Sequence, residues 1–107
     1  MGDDASNDAA TSDIRVIDNT DAHRYEVFVD GTLGGFAMYR MRPGHRIVFT
    51  HTEVDDAYEG HGVGSALARA ALDDARSRGL SVTPLCPFIR AYIDHHPEYE
   101  DLVASDA

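Results

Sequence analysis

The sequence predicts a single α/β domain of the α+β kind: a mixed, mainly antiparallel sheet in the order β-β-β-β-α-β-α. Three observations predict it. Apolar residues alternate with period two through Tyr25, Val27 and Val29, the mark of a half-buried strand. Short turns at Asp30-Gly31 and Pro43-Gly44 join consecutive strands, and strands joined so closely pair antiparallel. After Gly62 the apolar period becomes helical, which places one crossover helix between the fourth and fifth strands.

Taken in order, Ile14, Val16 and Ile17 form a short first strand, and Asp18, Asn19, Thr20 and Asp21 supply turn chemistry after it. The second strand holds Tyr25 to Val29, and Asp30-Gly31 turns it into a third from about Leu33 to Met41. The fourth runs from Arg46 to Val54, with Ile47 and Phe49 expected on one face and Val48 and Val54 on the other. From Gly62 to Arg78, Leu67, Ala68, Ala71, Leu72 and Ala75 fall on one helical face, opposite Arg69, Asp73 and Arg76. Gly79 stands where a left-handed residue ends a helix. Leu80 to Leu85 form a fifth strand stopped by Pro84 and Pro87. Phe88, Ile89, Tyr92 and Ile93 keep helical spacing as far as His95. Pro97 breaks that helix, and Glu98 to Val103 make a last turn or two.

The chain has 107 residues, enough for one domain with a core of its own. Residues 1–13 carry four aspartates and no basic side chain and are expected to be a disordered acidic tail, with a second short tail at 104–107 and the domain at 14–103. Cys86 is the one cysteine, which excludes a disulfide scaffold. No run approaches the roughly 20 apolar residues of a membrane-spanning helix, and Met1, Gly2, Asp3 and Asp4 lack the character of a secretory signal. A cytoplasmic address is expected.

Charge excludes a further class. Nineteen acidic residues, 14 of them Asp, face nine basic ones, all Arg, for a net charge of -10. Long-range attraction to nucleic acid or an anionic membrane is then repulsion instead, so neither is an expected partner. Abundant Asp without Lys also predicts adaptation to high salt, where screening relieves the self-repulsion of an acidic surface.

The most informative segment is Glu59-Gly60-His61-Gly62-Val63-Gly64-Ser65, between a strand and an amphipathic helix. Its glycines let successive N–H groups converge, and the helix N-terminus adds partial positive charge, so a phosphate or pyrophosphate is the expected guest. Oriented amides supply this attraction despite the net charge. No Lys follows the last glycine, so this is not a Walker loop. Glycines spaced by two, with no parallel βαβ unit before them, make a poor dinucleotide fingerprint. A tight connection without a ligand is the alternative.

With Val48-Phe49-Thr50-His51-Thr52-Glu53-Val54 upstream, the segment resembles motif A of the GNAT superfamily of acyl-CoA N-acyltransferases, Arg/Gln-x-x-Gly-x-Gly/Ala, here on Glu59 to Gly64. Pro84-Leu85-Cys86-Pro87-Phe88-Ile89 and His96-Pro97-Glu98-Tyr99 are similar to the short single-domain branch with a cysteine after strand five. Glu59 departs from the motif, standing where Arg or Gln is usual. The resemblance implies acetyl-CoA as acyl donor, bound where strands four and five splay. Its pyrophosphate would rest on Gly60, His61, Gly62, Val63, Gly64 and Ser65 beside Glu59, and its pantetheine arm would lie along Thr52 to Val54. A backbone N–H near Val54 would polarise the thioester carbonyl.

Candidate catalytic residues are Cys86, His51 and Glu53. Cys86 precedes a helix, where a thiolate is stabilised, and is a candidate acyl carrier or base, or else an inert buried thiol. His51 and Glu53 share a strand face as candidate general bases. Adjacent His95 and His96 point about 100° apart on a helix, so no metal is expected. Phe88, Tyr92 and Tyr99 are expected in the core. The implied function is N-acetyl transfer to an exposed amine of a small molecule, peptide or protein. About five residues separate the first two strands, which leaves no room for the helices that help bind the acceptor in larger members. That gap supports a rival reading, a CoA- or acyl-CoA-binding module without transferase activity; a structural domain that binds no cofactor is a third.

Overall fold

The computed structural model describes residues 13–104. The rest of the expected tails, 1–12 and 105–107, lies outside them. Strands β1 (Ile14–Asn19), β2 (Arg24–Val29), β3 (Thr32–Arg42) and β4 (Arg46–Val54) precede helix α1 (Val63–Ser77), then come β5 (Ser81–Pro84) and helix α2 (Pro87–His95). Short 3-10 turns occupy Thr20–Ala22, Asp56–Tyr58 and Pro97–Leu102. The sheet order is β1-β2-β3-β4-β5, antiparallel except for the parallel β4–β5 pair that α1 connects. This is the mixed, mainly antiparallel arrangement that turn spacing and the change of period predict. Between β1 and β2 there is one 3-10 turn and no longer helix.

Local chemistry sets the boundaries. Asp30 and Gly31 both take positive φ, 51° and 83°, as a two-residue hairpin turn requires. Gly79 is left-handed at φ 68°, and the Leu80 N–H reaches the Ala75 carbonyl at 2.9 Å, closing a Schellman end on α1. Pro87 occupies the first turn of α2, where its missing N–H costs nothing. Asp13 is tied to Asp30 by main-chain and side-chain hydrogen bonds, and Ala104 N–H donates to the Val82 carbonyl at 2.7 Å. Val103 adds an isolated parallel bridge to Val82.

Both helices pack on one face of the sheet. Tyr25, Val27, Ala37, Tyr39, Ile47, Phe49 and Val82 meet Leu67, Ala71 and Leu72 of α1 and Ile89 and Ile93 of α2 in one buried cluster. Three tyrosines tie this layer to acids: the Tyr25, Tyr39 and Tyr99 hydroxyls donate to Asp74, Asp18 and Asp73 at 2.6, 2.6 and 2.7 Å. Asp73 and Arg76 lie opposite the apolar face of α1, as their spacing predicts, and both are exposed. The C-terminal 3-10 turn engages both, Tyr99 donating to Asp73 and Arg76 making two 3.0 Å contacts to Asp101.

The other face, carrying Phe28, Phe36, Met38, Arg40, Val48, Thr50, His51 and Glu53, has no helix over it among the described residues. Glu26 on this face is nonetheless buried, and its hydrogen bond from Arg24 (2.7 Å) holds its carboxyl below the usual range, against the opposing effect of burial.

The expected alternation in β4 fails at its middle. Phe49 pairs with Tyr39 but His51 pairs with Met38, so Thr50 is an extra residue, a β-bulge. Thr50 and His51 are both exposed in succession. Beyond them the parity is reversed, so Val54 packs on the core side with Ile47 and Phe49, not opposite them with Val48. A bulge adds one residue to a period of two, which periodicity alone does not show.

Candidate functional site

The bulge sits where β4 and β5 part. Their pairing ends at Phe49 and Pro84, while β3 stays paired to β4 as far as Val54. The Phe49 carbonyl accepts from both Leu85 and Cys86 N–H, each at 3.0 Å, and the chain then turns into α2. Asp55 N–H donates to the Gly34 carbonyl at 2.8 Å. Since successive peptide groups of a strand point to opposite edges, the N–H and C=O of Thr52 and Val54 face the edge that β5 has left. A strand with an unpaired edge accepts an extended, amide-bearing ligand.

The start of α1 opens onto the same gap. Gly60 and Gly62 have φ of 81° and 78°, a left-handed conformation that side chains resist. Gly62 caps α1 with no side-chain hydrogen bond, no acidic residue stands in the first turn, and Ala66 is the first to donate within the helix, to the Gly62 carbonyl. The N–H groups of Val63, Gly64 and Ser65 are therefore left for a ligand or solvent. Thr52, Val54, Glu59, Gly60, Gly64, Ser65 and Phe88 line a groove of about 330 Å³ here. Six of these seven are residues the sequence singles out for a cofactor. Of the others so named, Val63 has its side chain in the core, so that only its main chain faces this end, and His61 is exposed.

Two residues in the groove differ from expectation. Phe88 is 38% exposed and forms a wall of the groove, whereas Tyr92 and Tyr99 are in the core as expected. Helical spacing puts Phe88 on the apolar face of α2 but does not show that the face's first turn borders a gap. Gly64 has a packing reason to be glycine: a Cβ there would lie 2.7 Å from the end of the Phe88 ring.

The three candidate catalytic residues divide between the two faces. Cys86 is 2% exposed, with its sulfur 3.1 Å from Thr52 Oγ1 on the helix side. His51 and Glu53 lie on the open face, exposed, with Nε2 and Oε2 2.9 Å apart. They form a pair with each other and no constellation with Cys86. Both adjacent histidines have structural partners: His95 Nδ1 lies 2.9 Å from the Ala91 carbonyl, and His96 Nδ1 lies 2.8 Å from that of Tyr92, whose ring it stacks on. Among the described residues no group of three or more His, Cys, Asp or Glu is placed to hold a metal, and no helix is long and apolar enough to cross a membrane.

A split sheet edge beside an uncapped helix start is the geometry the resemblance implies. Comparison with known families decides the assignment: residues 24–102 match the GCN5-related N-acetyltransferase family. The chain belongs to that family. It is 34% identical over 85 residues to mouse protein NATD1, covering 78% of this chain and 77% of that protein. Against human protein NATD1 it is 44% identical over 55 residues, about half of each chain. Among solved structures, a GCN5-like protein from Staphylococcus aureus superposes with a TM-score of 0.64 at 22% identity, covering 89% of this chain and 90% of the other. Ribosomal-protein-alanine N-acetyltransferase from Brucella melitensis biovar Abortus 2308 gives a TM-score of 0.57 at 21% identity, covering 91% and 94%. These likenesses establish the fold. It is an acyltransferase fold in small form, without the helices between the first two strands.

Proposed function

We propose that the protein transfers the acetyl group of acetyl-CoA to an exposed amine. The observation that carries this reading is the convergence of two sets of main-chain donors on one groove, those of Thr52 and Val54 at the open edge and those of Val63, Gly64 and Ser65 at the uncapped helix. The residues present fit the donor. The helix start takes the pyrophosphate, assisted by the Ser65 hydroxyl. The edge of β4 pairs with the amides of the pantetheine arm, and the Val54 N–H polarises the thioester carbonyl.

The acceptor nitrogen attacks that carbonyl carbon from the open face, the carbon–sulfur bond breaks, and CoA leaves as its thiolate. His51 takes the amine proton. With Nε2 donating to Glu53, its Nδ1 remains an acceptor, and Glu53 holds the ring in that tautomer. Cys86, buried on the opposite side and engaged with Thr52, supports the β4 edge rather than carrying the acyl group, so transfer is direct.

The uncovered sheet face favours a second reading, a CoA-binding module that lacks turnover. One experiment separates them. The protein is titrated with CoA by calorimetry, then assayed for thiol release from acetyl-CoA across a panel of amines, wild type beside His51→Gln. Transfer whose kcat falls in His51→Gln while CoA affinity holds supports the enzyme. Heat of binding without thiol release supports the module, and no heat at millimolar CoA removes both.

A further inference from the structure

The chain holds nine arginines against nineteen acids, so carboxylates outnumber arginines about two to one. Arg15, Arg24, Arg76, Arg78 and Arg90 each lie within 4 Å of a carboxylate. Arg69 stands beside Tyr92. Arg40, Arg42 and Arg46 have no carboxylate partner among the described residues, and they occur together. With Val48, Thr50, Thr83 and Leu85 they line a cleft of about 410 Å³ on the open face.

Two further observations mark this cleft as built for an anion. Arg42 and Arg46 are direct cross-strand partners at the β3–β4 hairpin, a like-charge pairing that disfavours the free sheet and that an anionic guest would relieve. Thr83 Oγ1, buried in the wall of the same cleft, is the one buried side-chain polar atom without a hydrogen-bond partner among the described residues. The cleft then runs to Thr50, at the bulge where β4 and β5 part.

We propose that this cleft receives the acidic side chains of a peptide whose amine is the acetyl acceptor, a proposal that rests on the transferase reading above. The spacing selects a peptide. Arg40 and Arg42 lie two and four residues along β3 from Met38, the cross-strand partner of His51, because Thr50 is the extra residue of the bulge. That places the levels of these two arginines roughly 7–13 Å along the sheet from His51, at about 3.3 Å per residue. A free amino acid cannot reach the level of Arg42, and an extended peptide spans the distance in about two to four residues. Arg provides planar, paired donors for carboxylates, and the protein's overall negative charge rejects acidic chains that do not engage those donors.

The test compares two synthetic peptides with free N-termini, one with glutamate at about its third to fifth positions and one with glutamine there, with an arginine version as the charge-reversed control, at the lowest salt in which the protein stays folded. Turnover and the anisotropy of fluorescein-labelled versions are both read. Wild type should favour the acidic peptide in kcat/KM by about tenfold. Arg42→Gln/Arg46→Gln should abolish the preference, and Arg42→Glu/Arg46→Glu should reverse it towards an arginine-containing peptide, while calorimetric CoA affinity, set by the separate groove, shows that each variant is folded. Equal turnover of both peptides by wild type overturns the proposal and leaves the transferase reading standing. If no amine is turned over but the acidic peptide still binds through Arg42 and Arg46, the transferase reading fails and the cleft remains a peptide site. Absence of charge-selective binding as well as of turnover overturns both.

Discussion

Thr52 Oγ1 and Cys86 Sγ lie 3.1 Å apart, joining the half of β4 that β5 leaves to the residue that caps the start of α2. This contact holds the two walls of the groove together. Cys86→Ala should therefore cost stability, about 1 kcal/mol for one buried polar contact and a small void. Thermal melts check this. CoA affinity should fall by less than about threefold, and intact-mass spectrometry after incubation with acetyl-CoA should show no acetyl adduct at Cys86. An adduct that wild type forms and Cys86→Ala lacks would establish a covalent relay instead of direct transfer.

Glu59 lines the groove at the motif position where an arginine or glutamine is usual. A carboxylate there opposes a pyrophosphate at the start of α1. Glu59→Gln should tighten CoA binding by about two- to fivefold, the size of a charge effect at a helix end. Calorimetry at rising potassium chloride should show the gain shrinking, because exposed charges are screened over a few ångström at molar salt. A gain that does not depend on salt would place Glu59 away from the phosphates.

Two glycines are set by packing and should respond differently. A Cβ at Gly35 would lie 2.5 Å from the Glu53 carbonyl oxygen, a main-chain atom that cannot move without β4. Gly35→Ala should destabilise by about 1–3 kcal/mol in denaturant titration. At Gly64 the clash is with the end of the Phe88 side chain, which is free to swing. Gly64→Ala should leave stability nearly unchanged and weaken CoA binding, because the displaced ring narrows the groove.

Alkaline stability should be governed by Tyr25, Tyr39 and Tyr99. Burial and then the hydrogen bond to an aspartate raise all three, Tyr99 to about 12 and the other two further. A folded-state value above the unfolded one means that the unfolded chain loses its phenolic protons first. The stabilisation is therefore complete below the ordinary tyrosine value of about 10 and is lost as pH rises through the folded values. Chemical denaturation followed from pH 9 upward should show the midpoint falling. Tyr99→Phe, which removes one such group, should flatten the decline.

The acidic surface makes a prediction of its own. At a net charge of -10 the compact state repels itself, and salt should raise the melting temperature between 0.1 M and molar potassium chloride. A melting temperature flat over that range would remove the high-salt reading and leave the composition without a stability role.

The sequence by itself determined the element order, the hairpin turns, the end of α1 at Gly79 and the glycine segment at the start of α1, because each depends on a local period or on a backbone conformation that particular residues favour. Of the seven residues lining the groove, Glu59, Gly60, Gly64 and Ser65 belong to that glycine segment, whereas Thr52 and Val54 were legible only through the family resemblance. Only the tertiary structure decided which face each group occupies. One added residue at Thr50 reverses the parity of β4, returning Val54 to the core and placing His51 and Glu53 on the face opposite Cys86. The arginine cleft likewise became visible only once the hairpin register set Arg42 against Arg46 and the parallel pairing brought Thr83 beside Val48. Such relationships join residues distant along the chain through pairing and packing, and these leave no periodic trace in the order of the amino acids.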